Sequence, residues 1–262
     1  MQNDNLKVFF LPALGVADNY YLALTEELRK QLHASVSIIS PPEPGGWGQR
    51  LTASVKVGYS EMVNEISNAV QGYKTEHPDH RVLLMGHSLG GHFAMLVASR
   101  LGPLLHGVVL VASGSPHWGA WPAKEQSRLR RGVGFINLLT LSLPWYPGEM
   151  LGFGGNQSRR LMRDWCQFAS NGRLFELRGM GVLQSAAAQL TLPVLTVYVE
   201  GDMLAPEKAT DQLLIGFDKI VRTSVTLGAD QLPGVPLPHR HFAWCRQPEP
   251  TCRMIESWLV AM

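Results

Sequence analysis

The sequence predicts an α/β fold: a mostly parallel sheet of about six strands, flanked by helices and interrupted by one helical cap. Three observations predict it. Short apolar runs alternate with amphipathic stretches over most of the 262 residues, the pattern of βα units. That rhythm breaks between Ser115 and Leu190, where no clear strand is read and the composition turns to Trp, Leu, Arg and Gly. A Gly-x-Ser-x-Gly pattern, Gly86-His87-Ser88-Leu89-Gly90, stands where an apolar strand runs directly into a helix of small and apolar residues.

Val8 to Leu11 reads as a buried strand ending at Pro12, and Asp18 as the N-cap of a helix through Tyr21, Leu24 and Leu28 that finishes near Leu32. Val36 to Ile39 is the next strand, and the Pro- and Gly-rich segment from Glu43 to Gln49 is a loop. Val57, Met62, Val63, Ile66 and Val70 recur at helical spacing, and His77-Pro78 ends that helix. Val82 to Met85 is a central strand, Phe93 to Leu101 a helix and Val108 to Val111 a strand. Val194 to Val199 and Val221 to Leu227 complete the sheet, and Met254 to Leu259 is the closing helix.

Residues 1–114 and 191–262 therefore form one core, and 115–190 its insertion. An excursion of that size reads as a helical cap, because long structureless loops are rare in compact domains. Helices are expected near Gln126 to Leu141 and Arg160 to Ala169, the second capped by Ser158.

With 45% hydrophobic and 17% charged residues, the chain is too apolar for disorder. Its net charge of +2 and the absence of a recognition motif make the short Arg runs solvated helix faces, so no nucleic-acid partner is expected. Arg160 and Arg163 are kept open as contacts for an anionic substrate group. Three cysteines form neither a disulfide framework nor a metal knuckle, so reduced, buried thiols are expected. No segment reaches the ~20 apolar residues of a membrane span, and the N-terminus lacks a signal-peptide pattern. The expectation is a cytoplasmic, soluble protein with no cofactor and no metal.

Ser88 is the candidate nucleophile. The turn between strand and helix is so tight that side chains at positions 86 and 90 would collide with backbone, and the helix N-terminus behind Ser88 favours a developing oxyanion. A serine hydroxyl needs a base to take its proton, and the base needs an orienting carboxylate. In chain order these follow the serine. Asp202 comes just after the strand Val194–Val199 and is the candidate acid; its rival role is a turn aspartate before the helix at Pro206. The other place for an acid, Ala112-Ser113-Gly114-Ser115, has no carboxylate. Downstream of Asp202 only His239 and His241 remain. His241 is the candidate base, since Phe242 and Trp244 can anchor its loop, and a His-x-His zinc site lacks a further ligand set. His87, beside Ser88, must point away from the face that Ser88 presents. The oxyanion hole takes the backbone N–H of Leu89 and, from the loop after the first strand, that of Leu14, with small Ala13 and Gly15 on either side.

Together the segments LPALG (Leu11 to Gly15), GHSLGG (Gly86 to Gly91), VVLVASGSPHW (Val108 to Trp118), LPVLTVYVEGDMLAP (Leu192 to Pro206) and HFAW (His241 to Trp244) resemble the α/β-hydrolase superfamily. More narrowly, they resemble its serine aminopeptidase S33-like and monoglyceride-lipase-like branch. The resemblance implies the α/β-hydrolase fold, the triad Ser88–Asp202–His241 and hydrolysis of an ester, thioester or amide. The chain departs from it twice. Pro12-Ala13 stands where most relatives have His-Gly, so Leu14 is carried over by position alone. The antiparallel hairpin that opens most relatives is missing, which leaves an exposed sheet edge and raises the hypothesis of a homodimer.

The cap residues Phe135, Ile136, Leu138, Leu139, Leu141, Leu143, Trp145 and Tyr146 either wall an acyl pocket or bury the cap on the core. Trp118 and Trp121 follow a strand end and are candidates to line the substrate site. The leading expectation is a carboxylic-ester hydrolase for small or lipophilic acyl substrates. A thioesterase or a proline-type peptidase of the same fold, and a non-catalytic small-molecule binder, are the alternatives.

Overall fold

The computed structural model describes residues 5–44 and 56–262. Of the expected loop 43–49, residues 45–49 lie outside them, and the first two have no regular structure. In chain order the elements are β1 (Leu6–Leu11), α1 (Leu22–Leu32), β2 (Ala34–Ile38), α2 (Tyr59–Glu76), β3 (Arg81–His87), α3 (Leu89–Leu101) and β4 (Gly107–Val111). The insertion follows with α4 (Ala123–Ser142), β5 (Trp145–Pro147), α5 (Gly148–Leu151), β6 (Asn156–Ser158), α6 (Arg159–Asn171) and α7 (Gln184–Gln189). The core resumes with β7 (Pro193–Val199), α8 (Glu207–Leu213), β8 (Val221–Leu227), α9 (Arg240–Ala243) and α10 (Glu249–Ala261).

The main sheet has six strands in the order β2-β1-β3-β4-β7-β8, and every pairing in it is parallel. The four inner strands are apolar runs rather than strict alternations, as strands covered on both faces require, while the edge strands β2 and β8 are more polar and more exposed. Successive side chains still point to opposite faces. Phe9, Leu11, Val82, Leu84 and Val108 pack with Met62, Ile66, Phe93 and Val97 of α2 and α3. Leu6, Val8, Phe10, Leu83, Met85 and Val109 pack with Leu24 and Leu28 of α1 and Ile255 and Trp258 of α10. Helix α3 is buried all round except at Arg100, which matches its unbroken run of small and apolar residues.

Two local expectations need correction. Asp18 is not an α-helical N-cap: it opens a short 3-10 turn, Asp18–Tyr21, with no side-chain cap bond at its entry, and its carboxylate takes the hydroxyl of Ser40 instead. The insertion is not free of strands, since β5 and β6 pair antiparallel, Trp145 with Ser158 and Pro147 with Asn156. The segments are only three residues each, too short for a legible alternation.

The insertion is knitted into the core. Leu161 and Phe168 of α6 join the cluster beneath α2 and α3, while Met162, Cys166 and Ala169 pack on Val133 and Ile136 of α4. Ser158 caps α6 as expected, accepting from the amides of Arg160 and Leu161, and its hydroxyl also donates to the carbonyl of Val57 in the core. Asp164 reaches the N-terminus of α2 and accepts the amide of Tyr59 at 2.9 Å. Burial raises its carboxyl above the ordinary range, against the pull of that amide and of Arg160.

Candidate active site

Parallel strands end on the same side of the sheet, so segments following β1, β3, β7 and β8 converge there whatever their separation in sequence. Leu14 follows β1, Ser88 follows β3, Asp202 follows β7 and His241 lies on α9 after β8. The fold thus brings together the four chain segments that carry the candidate residues.

Ser88 has φ 52° and ψ −114°, a conformation that costs a non-glycine residue about 1–3 kcal/mol and persists only when its surroundings impose it. Here they do. Its amide donates to the carbonyl of Val111 at 3.2 Å and its carbonyl accepts from Gly91 at 3.1 Å. A Cβ on Gly86 would lie 2.4 Å from the nitrogen of Gly91, and one on Gly90 would lie 1.9 Å from the carbonyl oxygen of Leu11. Both glycines are required by backbone contact, as the tight turn predicts. Leu89, the first residue of α3, is buried.

Asp202 divides its carboxylate between two tasks. Oδ1 accepts from the amides of Leu204 at 2.7 Å and Ala205 at 3.1 Å. Oδ2 meets Nδ1 of His241 at 2.7 Å. The turn-capping role and the partner role therefore coexist, one oxygen each. Both side chains are buried, 1% and 3% exposed, so water does not compete for the bond. A carboxylate can only accept, which places the proton on Nδ1 and leaves Nε2 of His241 with its lone pair. His239 is exposed.

His87 points away from the face of Ser88, into the core, where it is wholly buried. There it meets Tyr21 Oη through Nδ1 at 2.9 Å and the backbone carbonyl of His241 through Nε2 at 2.9 Å. Tyr21 Oη also accepts the amide of Ala13 at 3.0 Å. Sequence reasoning missed these contacts, because Tyr21 reads simply as one apolar position of a helix. Trp244 is fully buried beside His87 and Phe242 lies with its ring centroid 4.7 Å from that of His241, so both anchor the loop. On the other side of Ser88, buried His92 joins Tyr59 Oη at 2.8 Å to the carbonyl of Gly114 at 2.8 Å. Burial lowers its pKa to about 4.

The loop after β1, which carries the candidate oxyanion donor Leu14, differs from the expectation in one respect. Ala13 and Gly15 are small, but Gly15 faces the insertion: its φ is 69° and a Cβ would lie 2.1 Å from the carbonyl carbon of Gly154. Leu14 packs partly buried against the α4–α6 cluster.

The candidate pocket residues scatter. Trp121 lies near Asp202, its Nε1 donating to the carbonyl of Met203 at 3.0 Å. Trp118 packs partly buried against the α4–α6 cluster, with the Arg130 guanidinium 6.0 Å from its ring centroid. Of the apolar cap residues, Ile136, Trp145 and Tyr146 are buried while Phe135, Leu138 and Leu141 are exposed. Arg160 is engaged by Glu61 at 2.9 Å and Ser60 at 3.2 Å, so it ties the insertion to α2. A groove of about 510 Å³ opens between the loop after β1 and the His241 segment, lined by Gly15, Val16, Tyr20, Phe242, Arg246 and their neighbours rather than by either tryptophan. Arg246 stacks over the ring of Tyr20 at 4.4 Å.

Cys166, Cys245 and Cys252 are free and buried, and burial pushes each thiol up to about 12. Among the described residues, no group of three or more His, Cys, Asp or Glu side chains is arranged to hold a metal ion. No helix among them is long and apolar enough to cross a membrane.

The fold is similar to that of Paleococcus ferrophilus monoacylglycerol lipase, at 17% identity and a TM-score of 0.61, covering 97% of this chain and 94% of that one. It is similar to a structure of the metagenome-derived lipolytic enzymes LipS and LipT, at 11% identity and a TM-score of 0.62, covering 98% and 94%. It also resembles the thioesterase domain from the curacin biosynthetic pathway, at 15% identity and a TM-score of 0.55, covering 97% and 92%. No curated protein matches this chain by sequence. The Alpha/beta hydrolase family matches residues 10–247, nearly the whole of the architecture described above, and the chain belongs to that family.

Proposed function

We propose that the protein is a serine hydrolase that cleaves a carboxylic ester through an acyl-enzyme, with Ser88 as nucleophile, His241 as base and Asp202 as acid. The observation that carries this reading is the buried 2.7 Å bond between Asp202 Oδ2 and His241 Nδ1, at the end of the sheet where the strand leading to strained Ser88 also stops. A histidine nitrogen with a free lone pair and a serine at a helix N-terminus are the groups that nucleophilic acyl transfer needs.

In this reaction Nε2 of His241 takes the hydroxyl proton of Ser88 as its oxygen attacks the ester carbonyl. Asp202 holds the imidazole in its Nδ1–H tautomer and stabilises the imidazolium that forms. The amides of Leu14 and Leu89 receive the oxyanion; the neighbouring amide of Ala13 is committed to Tyr21 and takes no part. Collapse of the intermediate passes the proton from His241 to the departing alkoxide, leaving the acyl group on Ser88. Water, deprotonated by the same nitrogen, then releases the acid. The groove beside Gly15 and Phe242 accommodates a small or lipophilic substrate portion, and Trp121 stands at the acid's side of the site. A thioester would follow the same steps with a thiolate leaving.

The test is hydrolysis of p-nitrophenyl esters from C2 to C12 beside Ser88→Ala, with fluorophosphonate labelling of both. Turnover and labelling that vanish in the variant are expected, and the chain-length profile sizes the pocket. Absence of both in the unaltered protein sinks the reading in favour of a binding protein.

A further inference from the structure

Three of the site's parts lie on segments far apart in sequence, yet one buried chain of hydrogen bonds passes beneath all of them. It runs from the amide of Ala13 to Tyr21 Oη (3.0 Å), from Tyr21 Oη to His87 Nδ1 (2.9 Å) and from His87 Nε2 to the carbonyl of His241 (2.9 Å). Ala13 adjoins Leu14, His87 adjoins Ser88, and His241 is itself the end of the chain.

The direction of each bond is fixed. A backbone carbonyl only accepts, so Nε2 of His87 must carry the proton that it donates to His241. The neutral ring then has a bare Nδ1, which accepts from the Tyr21 hydroxyl. The oxygen of Tyr21 accepts in turn from the amide of Ala13. The indole Nε1 of Trp244 also approaches His87 Nε2, at 3.3 Å with the rings 85° apart. A protonated Nε2 has no lone pair to offer, so the shorter contact with the carbonyl is the bond and Trp244 closes the pocket edge-on. Tyr21 and His87 are each wholly buried, so no water relieves a partner missing from the chain.

Charge points the same way. Burial, reinforced by nearby His241, holds the protonation of His87 well below the ordinary range. The ring stays neutral with its centroid 5.1 Å from that of His241, where a cation would oppose the imidazolium that His241 becomes during turnover.

We propose that Tyr21 and His87 are positioning residues, whose one-way hydrogen-bond chain sets the oxyanion loop and the base relative to each other beneath Ser88. The proposal rests on the serine-hydrolase reading above. It gives His87 a chemical role that its place inside the elbow motif does not disclose.

Tyr21→Phe tests it, because the ring that packs on Phe10 at 4.6 Å is kept and only the hydroxyl is lost. Ester turnover is measured per serine labelled by fluorophosphonate, well below the melting temperature. A fall in kcat of about ten- to a hundredfold, with KM little changed, is the expected mark of misplaced catalytic groups. A lower melting temperature with unchanged kcat per labelled serine overturns the proposal. If Tyr21→Phe does not fold, His87→Gln against His87→Leu replaces it: the amide N–H of Gln can still reach the His241 carbonyl, so Gln retains turnover that Leu loses. Equal losses in the two variants overturn the proposal.

A readout that needs no substrate separates this proposal from the one it rests on. If the unaltered protein neither labels nor turns over, the serine-hydrolase reading fails. The low-field proton resonance of the Asp202–His241 bond then still decides: broadening in Tyr21→Phe supports positioning, and an unchanged resonance overturns it.

Discussion

Gly15, in the loop after β1, and Gly154, between β4 and β7, meet backbone to backbone. A Cβ on Gly15 would lie 2.1 Å from the carbonyl carbon of Gly154 and 2.4 Å from the nitrogen of Gly155. Neither segment can yield by turning a side chain, since both contacts are main chain. The loop that carries Leu14 is therefore clamped by the segment around Gly154.

Gly15→Ala is expected to cost more than about 1 kcal/mol, because alanine at φ 69° is strained even without the clash. The loop or the insertion must shift as well, so ester turnover falls with stability. A denaturant midpoint and kcat measured on the same preparation check both. A variant as stable and as active as the parent contradicts the close packing.

Asp202→Asn keeps the size of the side chain and its turn bonds to Leu204 and Ala205, but removes the charge that fixes the Nδ1–H tautomer of His241. In the serine-protease triad the same change lowers kcat about 10⁴-fold with the geometry intact. A loss of several orders of magnitude is expected here, with an unaltered melting temperature to within a few degrees. A modest loss would remove Asp202 from the reaction.

His92 makes stability depend on pH. In the unfolded chain an imidazole takes its proton near 6.5, but in the fold His92 does so only at about 4. Between those values the unfolded chain binds the extra proton, so the fold loses stability as pH falls from 6.5 and the loss is complete near 4. It amounts to about 3 kcal/mol, and His87, lowered in the same direction, adds to it. Denaturant midpoints from pH 7 to pH 4 for the parent and His92→Gln measure the difference, and the parent is expected to fall more steeply. Parallel curves would mean that His92 is not held neutral.

Ser158→Ala removes the acceptor for two amides of α6 and the hydroxyl that holds Val57. The loss of a helix cap costs about 1 kcal/mol, and the loss of the link to Val57 adds to it. Urea unfolding reads the sum. A change smaller than a few tenths would show that the cap and the link are dispensable.

Much of this was legible in the residues. The apolar runs around Val8, Val82, Val108 and Val194 announce strands because a sheet covered on both faces leaves no polar side to confuse the pattern, whereas the largely exposed edge strand at Val221 is legible through its β-branched residues. Gly86 and Gly90 announce a tight turn because no other residue fits there. Asp202 and His241 are found by chain order and by the anchors Phe242 and Trp244. The strands β5 and β6 escape notice because three residues cannot display a period. The expected acyl wall divides because Phe135 and Ile136 are equally apolar, and only the axis of α4 decides which one is buried.

The sequence by itself determined the alternation of strands and helices, the place of the elbow and the identity of the acid and base candidates. These rest on local chemistry: side-chain periodicity, the steric demand of a turn, the place of Asp202 just after a strand and the scarcity of imidazoles downstream of it. Only the tertiary structure decided that Asp202 serves two partners, that Gly15 is small for the sake of Gly154, and that His87 faces Tyr21 and His241 rather than solvent. Each of these is a contact between groups distant in sequence, and its geometry depends on how whole elements pack, which no local pattern encodes.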